Sequence, residues 1–261
     1  MIEARNISVN VGRQRIVNGV DFTAQCGEIT AIIGPSGSGK TTLLKALCND
    51  LAFSGEVSIH GRSARDLKPY EAASQRAVLP QASALSFPFT VLEVVRLGLV
   101  AGFSGVSPSQ EASLPQQALA RVDLPGFGGR FYQDLSGGEQ QRVQLARVLC
   151  QVWQPVLNGK GRFLLLDEPV SSLDIRHQIA VMDVARAFAK AGGGVIAILH
   201  DLNLTTLYAD RVLAMQDGHA VSFGTPGEII SEAMVHQVFG CALQRHALPG
   251  GTSLFAPYAP L

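Results

Sequence analysis

Residues 28–33, 163–166 and 195–199 are short apolar runs bounded by glycines or polar residues. Runs of this kind predict strands buried on both faces, the pattern of a parallel sheet covered by helices. Residues 2–9 alternate only weakly and predict a strand; residues 16–22 predict another after a Gly12-Arg13 turn. Residues 56–59 and 77–79 predict two more short strands. Residues 212–215 and 220–223 flank Asp217-Gly218, a strong hairpin signal.

Spacings of three and four predict helices elsewhere. Leu43, Leu44 and Leu47 mark one over residues 41–47, and Leu92, Val95 and Leu99 mark another over 90–100. Residues 110–122, 139–150, 175–190 and 229–239 follow the same pattern. Pro108, Pro115, Pro125 and the glycines between 126 and 129 divide the middle of the chain into short pieces. The expectation is a helical unit over about residues 88–153, inserted into an α/β core. Residues 1–240 form one domain in this reading, and 241–261 form a short Pro/Gly-rich tail.

Candidate chemistry lies at the ends of the buried runs. Residues 28–33 lead straight into GPSGSGKTT, residues 34–42, and then into a helix. Gly34, Gly39, Lys40 and Thr41 fit the spacing GxxxxGK[ST]. Glycines let such a loop turn tightly with its N–H groups facing inward, and the helix start adds its dipole. Gly34, Pro35, Ser36, Gly37, Ser38, Gly39, Lys40, Thr41 and Thr42 therefore predict a cradle for the phosphates of a nucleotide. Lys40 would supply a cation to the β and γ phosphates, and Thr41 a hydroxyl to Mg²⁺.

FLLLDEP, residues 163–169, ends a buried run in two carboxylates. In a parallel sheet both emerge at the edge where ligands bind. Asp167 is expected to hold Mg²⁺, and Glu168 to polarise the attacking water. Two carboxylates repel a bare triphosphate, so Mg-ATP is the expected ligand. His200 ends the run 195–199 and is read as a γ-phosphate or water contact, with a helix-cap or packing role as the alternative. In LSGGEQQRVQLARVL, residues 135–149, Ser136, Gly137 and Gly138 precede a helix and form a second anion-binding geometry. A second such loop predicts a symmetric dimer, in which Ser136 and Gly138 reach the ATP held by the other chain.

Taken in order, these motifs resemble the ATP-binding subunits of ABC transporters, over almost the whole chain. LSGGEQQ resembles the family signature, FLLLDEP its Walker B strand, and SSLD at 171–174 the loop that crosses the dimer interface. Gln81, after AVLP, resembles the glutamine that touches metal and senses the permease, and His200 resembles the switch histidine. The resemblance implies catalytic roles for Glu168, His200, Gln81 and Lys40, and metal contacts from Thr41, Gln81 and Asp167. It implies a dimer interface at Ser136, Gly138, Ser172 and Asp174. The implied fold is α/β, a P-loop NTPase (RecA-like) core with an antiparallel β subdomain and an inserted helical subdomain. The implied cofactors are ATP and Mg²⁺. The implied partners are a second copy, two transmembrane permease subunits and, indirectly, a periplasmic substrate-binding protein. The implied place is the cytoplasmic face of the bacterial inner membrane.

RAVLPQASALSFPFTVLEVV (76–95) and QVWQPVLNGKGRFLLLDEP (151–169) resemble the importer branch for iron chelates, haem and cobalamin, and the hemin-import subunits most closely. Hemin is the implied cargo, with cobalamin or a ferric siderophore as alternatives. A soluble ABC ATPase serving as a nucleotide-dependent scaffold is the alternative of another class. The apolar LSFPF, residues 85–89, suits a groove near Gln81 for a permease helix. One position departs from the family pattern: Val11 stands where relatives often stack adenine on an aromatic ring. Adenine is then expected to rest on apolar contact and on the partner chain.

Bulk composition narrows the classes. Lys plus Arg is 21 and Asp plus Glu is 21, which gives no basic excess for nucleic acid. Cys26, Cys48, Cys150 and Cys241 form no CxxC pair and are expected to be reduced thiols. The first residues carry no apolar signal core, and no run is long enough to span a membrane.

Overall fold

The computed structural model describes residues 1–81, 87–100, 103–248 and 253–257. They form two compact units, Met1–Asp66 with Ile196–Leu261, and Leu67–Val195. Leu85 and Ser86 of the expected permease groove lie outside the described residues.

In the first unit, strands Ile2–Val11, Gln14–Ala24, Ser54–Ile59 and Arg62–Ser63 make an antiparallel sheet with Ile2–Val11 second in order. Ile2, Ala4, Ile7, Val9, Val17, Val20 and Phe22 are buried. Asn6 takes φ 50°, and the register shifts between Ala4 and Ile7. The slip breaks the two-residue period, which is why the alternation in sequence is weak. A parallel pair follows, Ile29–Ile33 beside Arg211–Gln216, with Ala214 opposite Ile33. Arg211–Gln216 turns antiparallel into His219–Gly224 through Asp217 and Gly218, at φ 49° and 81°. Helix Lys40–Leu47 buries Leu43, Leu44 and Leu47.

The end of the chain is tied to this unit. Leu243–Ala247 pairs antiparallel with Ser253–Pro257, and Phe255 is buried. Asn203, on helix Leu202–Tyr208, holds that hairpin through both backbone polar groups of one residue, Phe255. Its Nδ2 donates to the Phe255 carbonyl at 3.1 Å, and its Oδ1 accepts from the Phe255 N–H at 2.7 Å. Asn203→Ala is expected to cost about 1–2 kcal/mol and to speed amide exchange and proteolysis over residues 243–257. Mass-spectrometric exchange that leaves this segment as protected as in the parent would refute the tie.

In the second unit, Arg76–Leu79 and Phe163–Asp167 pair in parallel with Leu79 opposite Leu166, and Phe163–Asp167 is wholly buried. Helix Gly137–Gln151 packs on helices Val91–Arg96 and Leu114–Arg121. The stretch 110–122 is two helices, Pro108–Glu111 and Leu114–Arg121, each with a proline in its first turn, where the missing N–H costs nothing. Helix Ile175–Lys190 follows Phe163–Asp167. Strand Gly194–Ile198 begins in this unit and ends in the first.

Just before Phe163–Asp167 comes a two-residue hairpin, Val156–Leu157 with Lys160–Gly161, turned by Asn158 and Gly159 at φ 51° and 72°. It delivers Arg162, which is 1% exposed, into a ring of carbonyls. The guanidinium donates to the carbonyls of Phe103, Ser104, Gln151 and Gln154. Burial pushes its pKa down to about 10, so it stays protonated at neutral pH.

Candidate active site

The phosphate-loop half is built in the first unit. Strand Ile29–Ile33 is buried at every position and opens directly into Gly34. A β-carbon at Gly34 would come within 2.1 Å of the Met215 carbonyl oxygen, and at Gly39 within 2.8 Å of the Ile16 carbonyl oxygen. Both glycines have positive φ, 151° and 95°, so space and backbone both demand glycine. Gly39 precedes helix Lys40–Leu47 and offers no side chain to cap it. A helix start without a side-chain cap is the geometry in which backbone N–H groups and the helix dipole suit an anion.

Lys40 is 5% exposed, and its Nζ donates to the carbonyls of Gly34 at 2.9 Å and Pro35 at 2.8 Å. The ammonium is therefore held inside the curve of the loop. Ser38 is buried, Ser36 and Gly37 are exposed, and Thr41 and Thr42 are half-buried just past the turn. The Leu199 N–H donates to the Ile32 carbonyl at 3.2 Å. That bond sets exposed His200 at the same strand edge from which Gly34 departs. His200 does not cap the next helix; Asp201 does, accepting from the N–H groups of Asn203 and Leu204. Val11 is 53% exposed beside the Gly12 turn, whereas Phe22 is buried.

The carboxylate and signature half is built in the second unit. Parallel pairing of Arg76–Leu79 with Phe163–Asp167 brings exposed Gln81, buried Asp167 and half-buried Glu168 to one edge. Glu168 has φ 52°, in the left-handed region, which costs a residue with a β-carbon about 1–2 kcal/mol. Its carbonyl accepts from Gln141 Nε2 at 2.8 Å, from the Ser171 hydroxyl at 3.2 Å and from the Ser171 N–H at 3.4 Å. Helix Gly137–Gln151 starts against the next loop: a β-carbon at Gly138 would meet the Ser172 carbonyl oxygen and Leu173 Cδ2, each at 3.0 Å. Ser136, Gly138, Glu168, Ser172 and Asp174 thus share one neighbourhood, with Gln141 bridging it.

Ser136 caps its helix through a reciprocal pair. Glu139 Oε2 accepts from the Ser136 hydroxyl at 2.7 Å and from its N–H at 2.8 Å, and Ser136 Oγ accepts from the Glu139 N–H at 3.4 Å. The pattern S-x-x-E was in view in the sequence and announces this box. Asp174 caps helix Ile175–Lys190, accepting from the His177 N–H at 2.9 Å and lying 2.8 Å from His177 Nδ1. His177 Nε2 is 3.6 Å from Asp123, and Arg176 pairs with Asp123 at 2.9 Å. Arg162 carries no sequence signal, and the signature segment that holds Gln141 does not announce its bond to Glu168, because both contacts depend on which carbonyls the fold brings to them.

These caps make a pH prediction. The Ser136 hydroxyl, then its N–H, holds the Glu139 carboxyl below its ordinary range. The His177 N–H, then its ring, does the same for Asp174, and the Thr90 and Thr225 N–H groups lead for Glu93 and Glu228. Lowered folded pKa values mean that the unfolded chain binds more protons in acid. Their stabilisation is complete above the ordinary carboxylate range and is lost as pH falls through the folded values. The melting temperature is therefore expected to be flat near neutrality and to fall below about pH 4.5. Glu139→Gln should flatten that fall. A melting temperature that climbs in acid would refute the assignment.

A family model described as ABC transporter matches residues 17–171, which include the phosphate loop, the signature segment and FLLLDEP. The chain belongs to the ABC transporter family. It is an ATPase of that family. The Hemin import ATP-binding protein HmuV of Mesorhizobium japonicum is 60% identical over 255 residues, covering 98% of this chain and 97% of that protein. The protein of the same name from Jannaschia sp. is 53% identical, covering 98% and 93%. Among solved structures, the dimeric post-hydrolysis ATP-binding cassette MJ0796 with ADP and Pi is 28% identical at TM-score 0.74, covering 87% of this chain and 99% of that one. An inward-facing metal-chelate type ABC transporter matches at TM-score 0.78 and 21% identity, covering 99% and 97%, a likeness of fold. The ABC fold is the P-loop NTPase fold expected from sequence. No helix among the described residues is long and apolar enough to cross a membrane.

For an ABC ATPase, the donor set suits Mg²⁺. Thr41 offers a hydroxyl, Gln81 an amide oxygen and Asp167 a carboxylate, all hard oxygen ligands. Gly34 and Gly39 let the loop pack against the Met215 and Ile16 carbonyls, which a β-carbon at either position would prevent.

Proposed function

We propose that this chain is the ATP-hydrolysing motor of a hemin importer. It would work as a homodimer on two transmembrane permease subunits, supplied by a periplasmic substrate-binding protein, at the cytoplasmic face of the inner membrane. The observation that carries the cargo is 60% identity, over 98% of the chain, to a protein named for hemin import. The intact set Lys40, Asp167, Glu168 and His200 supports a working motor over a nucleotide-dependent scaffold.

In this reading Lys40 and the amides of residues 34–42 bind the phosphates of ATP. Ser136 and Gly138 of the second copy close over the γ-phosphate, so dimer closure depends on the nucleotide. Glu168 takes a proton from the attacking water, and His200 steadies the γ-phosphate oxygens. Mg²⁺, held by Thr41, Asp167 and Gln81, would neutralise charge on the phosphates. Loss of the γ-phosphate removes the contacts to Ser136 and Gly138, and the dimer opens. Val11, exposed at its turn, would give adenine an apolar surface. Exposed Phe87 and the segment that begins helix Val91–Arg96 would take a permease helix beside Gln81.

The test is transport. The chain, assembled with its permease and binding protein in lipid vesicles, is given Mg-ATP and hemin, cobalamin or a ferric siderophore in turn. Hemin accumulation that stops when ATP is withheld supports the proposal. ATP-dependent uptake of cobalamin or siderophore alone would keep the motor and replace the cargo. ATP turnover with no uptake of any of the three would overturn the importer reading.

A further inference from the structure

We infer that Gln141 is a positioning residue for ATP hydrolysis, holding Glu168 in the backbone conformation from which its carboxylate acts. The inference rests on the reading of Glu168 as the base. A left-handed φ at a residue with a β-carbon persists only where its surroundings impose it. At Glu168, with φ 52°, the imposing groups converge on its own carbonyl. The two Ser171 donors lie at 3.2 and 3.4 Å, while Gln141 Nε2 lies at 2.8 Å and makes the shortest of the three bonds. The Gln141 carboxamide oxygen is buried with no hydrogen-bond partner among the described residues. The bond to Glu168 is therefore the polar contact that orients this side chain.

Placement in the helix gives this bond its significance. Gln141 follows Gly138 by three residues, so both lie on one helix face. Gly138 meets Ser172 and Leu173, and Gln141 meets Glu168. The same helix begins at Ser136, the group proposed to touch the γ-phosphate held by the other copy. A rigid helix thus carries a nucleotide contact at its start and a grip on the base one turn later. The proposed nucleotide contact and the peptide of the base are thereby tied to one helix, with Glu168 already held in the single chain.

The experiment measures ATP turnover of the full chain assembled with its permease, for Gln141→Ala, Glu168→Gln and the double variant. Gln141→Ala is expected to lower kcat about 10- to 100-fold, the scale of a misplacement near 1 Å. KM for Mg-ATP and the melting temperature should stay close to wild type. On the Glu168→Gln background, where residual turnover is followed by labelled phosphate release, Gln141→Ala should cost nothing further. Gln141→Glu supplies a second readout. Its carboxylate repels the Glu168 carbonyl at neutral pH, whereas its protonated acid can donate to it. Its activity relative to wild type should therefore rise as pH falls.

Full turnover in Gln141→Ala, an equal further loss on top of Glu168→Gln, or a pH-independent ratio for Gln141→Glu would each overturn the inference. A loss in Gln141→Ala that appears in KM or in melting rather than in kcat would mark a purely structural role and overturn it too. Wild-type turnover in Glu168→Gln alone would instead remove the base, and the inference with it.

Discussion

Glu168→Gln is expected to lower ATP turnover by about 10²- to 10⁴-fold, the usual contribution of a general base, while Mg-ATP binding persists. The swap keeps the size of the side chain and its place at the strand edge. It removes the charge proposed to draw a proton from water. A glutamine meets the same penalty at φ 52° as a glutamate, so the peptide held by Gln141 and Ser171 should keep its form. Binding is proposed to depend on Lys40 and the loop it sits in, which the substitution does not touch. The variant should therefore accumulate as an ATP-loaded dimer. Nucleotide titration and sizing with Mg-ATP would show both effects. Undiminished turnover would shift the base role toward His200, the other titratable group proposed to face the γ-phosphate.

Arg162→Leu is expected to be the most destabilising single change, about 3–5 kcal/mol, since each buried carbonyl stripped of its donor costs about 1–3 kcal/mol. Four carbonyls lose a donor together, of which Ser104 keeps the Gln154 N–H at 3.1 Å, and those near the surface recover part of the loss from water. For a chain of this size the melting temperature should fall by roughly 10 °C. Arg162→Lys should recover only part of it, because one ammonium cannot reproduce the planar fork that serves Phe103, Ser104, Gln151 and Gln154. A melt within about 1 °C of wild type for the leucine variant would show that the ring of carbonyls finds other donors.

Much of the α/β core was legible because burial on both faces leaves continuous apolar runs. Residues 163–166 and 195–199 became strands within a residue or two of expectation, and Asp217-Gly218 became the turn of a hairpin. The phosphate loop was legible because its glycines answer to local geometry. What escaped was set by distant partners. The strands Leu243–Ala247 and Ser253–Pro257 have little apolar alternation and form where Asn203 and a buried Phe255 receive them. Helix Pro69–Gln75 buries no residue, so no apolar stripe announces it. The left-handed turn at Glu168 was not readable from the motif, because Gln141 and Ser171 supply what sustains it.

The docked hairpin at the end of the chain also offers a vantage point for spectroscopy. Cys241, just ahead of it, is exposed, while Cys48 and Cys150 are buried and Cys26 is half-covered. Burial pushes the Cys150 thiol up to about 12, leaving it unreactive at neutral pH. A maleimide dye should therefore couple first at Cys241 without any engineered cysteine. The dye would ride beside a hairpin pinned by Asn203, only three residues beyond His200. Its emission would follow the histidine's segment in real time through a catalytic cycle, from outside the site where the chemistry is proposed to happen.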